Sequence, residues 1–258
     1  MRAVARGAKI EVMPPGVTGW PGDVHDGKEM EKAMDGVQAA VYLPGMTAAR
    51  TRDAFHRIHV EAPRRCATIA RRAGVRRFIH LSALGAATDA PAWSDQTKAE
   101  GELAVSDAFA ETTIVRPSLV LGPGSHFASS MQDRMRRLPV MPVIGSGTRI
   151  QPVHLDDLVS GLHAALMDDK SEGTVYQAGG PRVVTMLDLL RIIRESHRLR
   201  CRLVPLTRAT ALTLAMIAER LPGQPLVCDQ VRLMDTDKVL DGVAPTLAAL
   251  GVDCRDPL

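Results

Sequence analysis

Aromatic residues are scarce: two Trp, two Tyr and four Phe make up 3% of 258 residues. Recognition of nucleic acid by base stacking is therefore not expected, and the core has to rest on Val, Ile, Leu, Ala and Met. Apolar runs are short. None approaches the roughly 20 residues needed to span a bilayer, and the first residues hold no apolar signal core, so secretion is not expected. Cys66, Cys201, Cys228 and Cys254 form no C-x-x-C pair and sit near no histidine cluster, so no metal site is expected. Scattered thiols of this kind suit a reducing compartment. Lysine is also rare, with six in an arginine-dominated chain, and the formal net charge is only +3. Arg64, Arg65, Arg71, Arg72, Arg76 and Arg77 do cluster. They read as a solvated helix face, with an anionic partner as the alternative.

What is present is an alternation. Short apolar, β-rich runs occur at Lys9 to Val12, Ala39 to Leu43, Arg77 to Leu81, Thr113 to Arg116 and Thr174 to Ala178. Helix-period segments separate them at Lys28 to Met34, Val60 to Ala73 and Lys98 to Ala110. This pattern predicts βαβ units and a parallel sheet, and the continuous apolar strands predict helices on both faces. Beyond Arg116 the chain is broken by Pro117, Gly122, Pro123 and Gly124, then by Pro139, Pro142, Gly145 and Gly147. Loops of this sort build substrate lobes. The expected architecture is one α/β domain over 1–258, a doubly wound parallel sheet with a small C-terminal lobe drawn mainly from 118–150 and 180–258. Asp156 and Asp157 read as caps of "LVSGLHAALM", Thr185 as the cap of "MLDLLRIIRE", and His154 as a packed strand-end residue. The helix over Ala209 to Leu221 is apolar on most of its surface. It reads as buried or subunit-facing, with an interfacial membrane helix as the alternative.

A dinucleotide site needs a Gly-rich turn between the first strand and a helix, so that backbone amides reach the pyrophosphate. Gly16, Gly19 and Gly22 in "GVTGWPG" imitate one. The context contradicts it. Pro14 and Pro15 precede the glycines, Asp23, Asp26 and Gly27 delay any helix, and only about 20 residues separate Gly22 from "AAVYLPG", where one βαβ unit needs about 30. Val17 to Trp20 is better read as a later strand, ended by Asp23 and followed by the helix "GKEMEKAMDG". On that reading "MRAVARG" is the tail of an earlier crossover helix. The fold begins N-terminally truncated, and two strand edges are left without a partner.

Several motifs then occur in a recognisable order: "GDVHD", "AAVYLPG", "HVEAPRRCATIARRAGVRRFIHLSALGA", "KAEGE", "VRPSLVLGPGS", "RLPVMPVIGSGTRIQPVHLDDL", "YQAGGPRVVTMLDLL" and "RLPGQPLVCDQVRLMDTDKVLDG". Together they resemble the atypical extended short-chain dehydrogenases, in particular the branch of the NAD(P)H-binding accessory subunit of respiratory complex I and its bacterial relatives. The resemblance implies a Rossmann-type fold and an NAD or NADP site along the strand ends. Position by position it places Asp23 and Val24 near the adenine. Leu43, Pro44 and Gly45 pass under the cofactor, Ser82 ends the fifth strand of the family sheet, Lys98 holds the nicotinamide ribose, and Arg116 and Pro117 lie beside the nicotinamide. Ordinary roles stand beside these: a turn glycine at Gly45, a strand-end serine at Ser82 and a surface lysine at Lys98.

The family reaction uses a tyrosine four residues before the lysine, whose ammonium lowers the phenol pKa. Here that position is Ser94, preceded by Trp93. A serine is a far weaker acid, and an indole offers only a donor. The asparagine usual on the fourth helix of the family is replaced by His59, which can titrate near neutrality. The expectation is an NAD(P)-binding accessory protein with little or no turnover, its binding weakened by the missing turn. Its partner would be a protein or a membrane-complex surface, and its location cytoplasmic or peripheral at the inner membrane. The alternative is an active oxidoreductase or a nucleotide-sugar or steroid-type epimerase, with Lys98 and Ser82 as catalytic residues.

Overall fold

The structure, a computed structural model, describes residues 1–6, 13–220 and 226–258. The chain opens with two parallel strands, β1 (Arg2–Ala5) and β2 (Thr18–Pro21), in which Val4 is in register with Trp20. Helix α1 (Gly27–Met34) leads to β3 (Ala39–Tyr42). A continuous helical run follows: α2 (Arg52–His56), one π-helical turn (Arg57–Glu61) and α3 (Ala62–Arg72). Then come β4 (Arg77–Leu81), α4 (Trp93–Ala108), β5 (Thr113–Pro117), β6 (Val120–Leu121), α5 (His126–Arg137) and β7 (Val140–Val143). Next are β8 (Arg149–Ile150), β9 (Val153–His154), α6 (Leu155–Met167), β10 (Val175–Ala178), β11 (Val184–Thr185) and α7 (Met186–Ser196). The chain continues through β12 (Arg202–Pro205), α8 (Arg208–Ala218) and α9 (Cys228–Leu233).

The main sheet is parallel, in the order β10-β5-β4-β3. Alternation along β4 explains why both faces are covered. Phe78 packs with Met30, Cys66, Ala67, Val105 and Phe109 under α1, α3 and α4. Its neighbour Ile79 points the other way, into Val115, Val153, Leu158 and Leu247 beside α6. Successive side chains of a strand face opposite sides, so a continuous apolar run serves two layers. Small parallel and antiparallel pairs (β6-β9, β7-β12 and β8-β11) carry the C-terminal lobe. Its own core includes Met141, Val143, Ile150, Leu189, Ile193 and Cys201.

Four expectations need correction. "MRAVARG" is not the tail of a helix: Arg2–Ala5 is a strand, and Thr18 N–H donates to the Met1 carbonyl at 2.8 Å at the head of its ladder. Among the described residues the pair β1-β2 is hydrogen-bonded to no strand of the main sheet. Arg77 is not part of a solvated face. It is buried, and its guanidinium joins β4 to the end of α6 through the carbonyls of Ala165 (2.7 Å) and Asp168 (2.8 Å), the Ser171 hydroxyl and the Glu172 carboxylate (2.7 Å). Asp156 and Asp157 lie inside the first turn of α6, whose cap is His154; its Nδ1 accepts the Asp156 N–H at 3.2 Å. Finally, α4 begins at Trp93, five residues before Lys98, which puts Ser94 inside the helix. The expected strand at Lys9 to Val12 lies outside the described residues.

The glycines of "GVTGWPG" build no phosphate loop. Thr18–Pro21 is a strand, and the nearest helix, α1, is capped by Asp26, which accepts the N–H groups of Lys28 and Glu29. An acidic cap occupies the amides that an anion would use.

Candidate functional site

A cavity of about 260 Å³ opens at the carboxyl ends of β3 and β4, where open α/β sheets take their ligands. Its walls come from four places. The turn after β3 supplies Leu43, Pro44, Gly45, Met46 and Thr47, the end of β4 supplies His80, Leu81 and Ser82, the π turn supplies His59, and α4 supplies Lys98. The structure therefore brings together Leu43, Pro44, Gly45, Ser82 and Lys98. The other residues singled out in the sequence do not line it. Asp23 ion-pairs with Arg6 at 3.6 Å, and Val24 packs against the α1–α3 core. Arg116 is held by Glu102 through two hydrogen bonds of 2.9 and 2.5 Å, which keeps the guanidinium firmly charged. Pro117 is buried in β5, and its carbonyl accepts the Leu84 N–H at 2.9 Å.

Sequence reasoning missed the way His59 and His80 enter this cavity. His59 bonds at both ring nitrogens: Nε2 accepts the Met46 N–H at 3.1 Å, and Nδ1 lies 2.9 Å from the Thr97 hydroxyl. That hydroxyl donates to the Trp93 carbonyl at 2.8 Å, so Nδ1 carries the proton and Nε2 is the acceptor. Burial, then the Lys98 charge, pulls His59 down to about 3. His59 is thus a neutral strut that holds the 43–47 turn. This corrects the expectation that it titrates near neutrality. The π turn places it there: a π-helix shifts the register of the helix face, and such turns concentrate at functional sites. Gly101 completes the fit, because a Cβ at that position would overlap the His59 carbonyl. His80 lies under the cavity with its ring 5.7 Å from that of Tyr42, and burial lowers it to about 4. Its Nδ1 is buried without a partner among the described residues, as is the Ser82 hydroxyl.

Lys98 is the cation of the site. Burial lowers its ammonium to about 8, with Asp95 and Glu102 opposing and Lys238 reinforcing the shift. Asp95, itself pushed upward by burial, is ion-paired with Lys238 of the C-terminal lobe at 2.5 Å. Ser94, four residues before Lys98, is fully buried and is not part of the cavity wall. Its backbone N–H and that of Trp93 donate to the carboxylate of Asp229 on α9, at 3.1 and 2.7 Å. Its hydroxyl faces the Met46 carbonyl at 3.4 Å. A hydroxyl so placed has no base beside it and cannot take the role of a phenol.

Buried polar atoms without partners call for a water, an ion or a ligand to complete their bonding, and those that line a cavity face room for one. The Ser82 hydroxyl and the His80 Nδ1, beside the Lys98 ammonium, are of that kind. The residues present therefore fit the ribose and ring of a nicotinamide nucleotide.

Residues 1–124 match a family model described as NAD(P)H-binding. Among curated proteins, the mitochondrial NADH dehydrogenase [ubiquinone] 1 alpha subcomplex subunit 9 of Arabidopsis thaliana is 32% identical over 178 residues, 65% of this chain and 44% of that protein. The 40 kDa subunit of the mitochondrial NADH-ubiquinone oxidoreductase of Neurospora crassa is 25% identical over 236 residues, 91% of this chain and 62% of that protein. The chain thus spans about half of the first relative and somewhat more of the second. A nucleoside-diphosphate-sugar epimerase from Staphylococcus aureus shares the fold, with a TM-score of 0.73 at 16% identity over 99% of this chain and 88% of that chain.

Proposed function

We propose that this chain, an atypical short-chain dehydrogenase-type protein related to the accessory subunits of respiratory complex I, binds a nicotinamide dinucleotide without turning it over at a useful rate. One observation carries the reading: the cavity wall includes Lys98, to which the resemblance gives the cofactor ribose, while Ser94, at the position of the family's proton donor, is buried beside Asp229. When bound, the nucleotide would supply a hydride. Lys98 would donate hydrogen bonds to the ribose hydroxyls, Ser82 would place a hydroxyl beside the ring, and Gly45 would let the backbone run close beneath it. His59 would keep the turn in position from behind. No side chain on the cavity wall is a phenol, and the two histidines are held neutral by burial. Proton transfer at the substrate oxygen therefore has neither a phenol nor a titrating imidazole to serve it, and Lys98 is the single cavity group near neutral pH among the described residues.

The same reading makes binding weaker than in relatives with a Gly-rich turn, because among the described residues no Gly-rich turn leads from a strand into a helix N-terminus where backbone amides would meet a phosphate. The choice between NAD and NADP follows from titration with both. The related subunits work in an assembly, so the proposed partner is a protein or membrane-complex surface, with a peripheral position at the inner membrane. Fluorescence titration with NADH and NADPH should show saturable binding, and steady-state assays with small carbonyls should show no robust oxidation. Vigorous turnover would overturn the accessory reading. It would favour an oxidoreductase or epimerase using Lys98, whose pKa of about 8 is the one feature suited to acid–base work.

A further inference from the structure

Six arginines meet at one end of the C-terminal lobe, although they come from two stretches of chain far apart in sequence. Arg134, Arg136 and Arg137 close α5. Arg198, Arg200 and Arg202 run from the end of α7 into β12. The pairing of β7 with β12 joins the two stretches: Arg202 is in register with Val140, and its N–H donates to the Pro139 carbonyl at 2.9 Å. All six are exposed. Among the described residues only Arg136 has an ion-pair partner, Asp133 at 3.6 Å, while the nearby Glu195 is matched to Arg194 at 3.0 Å. Six cations facing one carboxylate leave an excess of positive charge larger than the +3 of the whole chain.

Apolar side chains are interleaved with this charge. Along β7, Met141 and Val143 point into the core, and Leu138 and Val140 point out, 43% and 49% exposed. Beside them α5 borders a shallow depression of about 330 Å³, lined by His126, Ser129, Ser130, Asp133, Arg134 and Arg137. The backbone supplies an independent sign. Arg198 is the only non-glycine residue with positive φ (52°) among those described. It follows the C-cap of α7, where Leu199 N–H donates to the Arg194 carbonyl at 2.9 Å. That helix-terminating turn favours glycine. An arginine kept in a strained position that local folding does not require suggests a role for its side chain.

We propose that this edge docks the chain on an anionic phospholipid surface. Guanidinium groups pair with phosphodiester oxygens in bidentate fashion, exposed Leu138 and Val140 suit the boundary of headgroups and acyl chains, and anionic leaflets attract basic clusters of this size. Among the described residues lining the patch there is no Trp, Tyr or Phe on which a base could stack, which disfavours nucleic acid. The proposal deepens the peripheral placement proposed above and rests on that reading for its setting, but not on nucleotide binding.

The test is co-sedimentation of the full chain with phosphatidylcholine vesicles, with and without phosphatidylglycerol. Binding should need the anionic lipid, weaken with salt, and fall by at least about tenfold in the triple variant R198E/R200E/R202E. The variant L138S/V140S, which leaves the charge unchanged, should also weaken it. R198G should raise the melting temperature and still lower vesicle binding. Failure of the unmodified chain to bind anionic vesicles would overturn the proposal. So would equal binding to neutral vesicles, indifference to the arginine reversals, or binding of single-stranded RNA in place of vesicles. NAD(P)H titration of the same variants should be unchanged, and this separates failure of the docking surface from failure of the nucleotide site.

Discussion

Asp229 accepts the backbone N–H of Ser94 at 3.1 Å and that of Trp93 at 2.7 Å, so the C-terminal lobe caps the helix that carries Lys98. The helix has no cap of its own, because its N-cap residue is Ala92. Placement of the cavity lysine thus depends on a residue more than a hundred positions away. Asp229→Ala should cost about 1–2 kcal/mol, the usual effect of losing a cap, and should weaken NAD(P)H binding as well. Urea denaturation checks the first outcome; an unchanged midpoint would refute the capping role.

Lys98 gives a pH dependence with a definite sign. Its folded pKa, about 8, lies below the ordinary lysine value, so the unfolded chain binds more protons between the two values, and stability of the ligand-free chain should rise with pH across that window. Nucleotide affinity should move the other way. It should be fully present well below pH 8, about half lost at pH 8 and about tenfold lower by pH 9, as the ammonium is lost. Lys98→Met should weaken binding by about 10–100-fold, the worth of a charge-assisted hydrogen bond, and abolish the pH trend. Fluorescence titration of both proteins from pH 7 to 9 decides this.

His59 should not titrate between pH 5 and 8. Protonation would put a second N–H at Nε2, facing the Met46 N–H that it now accepts. Imidazole resonances followed by NMR should stay in the neutral range for this residue, and movement near pH 6.5 would show that the strut assignment is wrong. His59→Ala should destabilise the chain by about 1–3 kcal/mol, because the Thr97 hydroxyl and the Met46 amide lose a partner.

Ser94→Tyr restores the family's residue at the family's spacing, yet it should not restore turnover. Ser94 is completely buried against the Met46 carbonyl and away from the cavity wall, so a phenol there overpacks the core. The expected cost is about 1–3 kcal/mol. A large gain in NADH oxidation by this variant would contradict the geometry described for α4.

Arg77→Met should cost about 2–3 kcal/mol in thermal or urea unfolding. It leaves the Ala165 and Asp168 carbonyls and the Ser171 hydroxyl without their shared donor. A neutral result would mean that water replaces the guanidinium there.

The central sheet was legible in the sequence because its signal is local. Phe78 and Ile79 sit in a short β-rich run interrupted by His80, and successive apolar residues of this kind suit a strand covered on both faces. Helices opened by a polar cap were legible for the same reason, as Thr185 at α7 shows. The spacing of Ser94 and Lys98 already showed the missing phenol. Leu43, Pro44, Gly45, Ser82 and Lys98 were named on resemblance, and they share one cavity because parallel strands all end on the same side of the sheet.

The rest depended on contacts that sequence spacing does not encode. The strand at Arg2–Ala5 is too short to show a period, and it owes its form to the ladder with Thr18–Pro21. Arg77 looked like one more surface arginine until the carbonyls at the end of α6 came into reach. His59 read as able to titrate near neutrality because that is the ordinary property of histidine, and the tertiary fold makes it neutral by enclosing both nitrogens. The distinction is physical. Periodicity and chemistry-bearing spacing reside in the chain itself. The protonation, burial and bonding of a side chain depend on whatever the fold brings against it, and for Lys98, Ser94 and His59 those neighbours come from distant turns and helices.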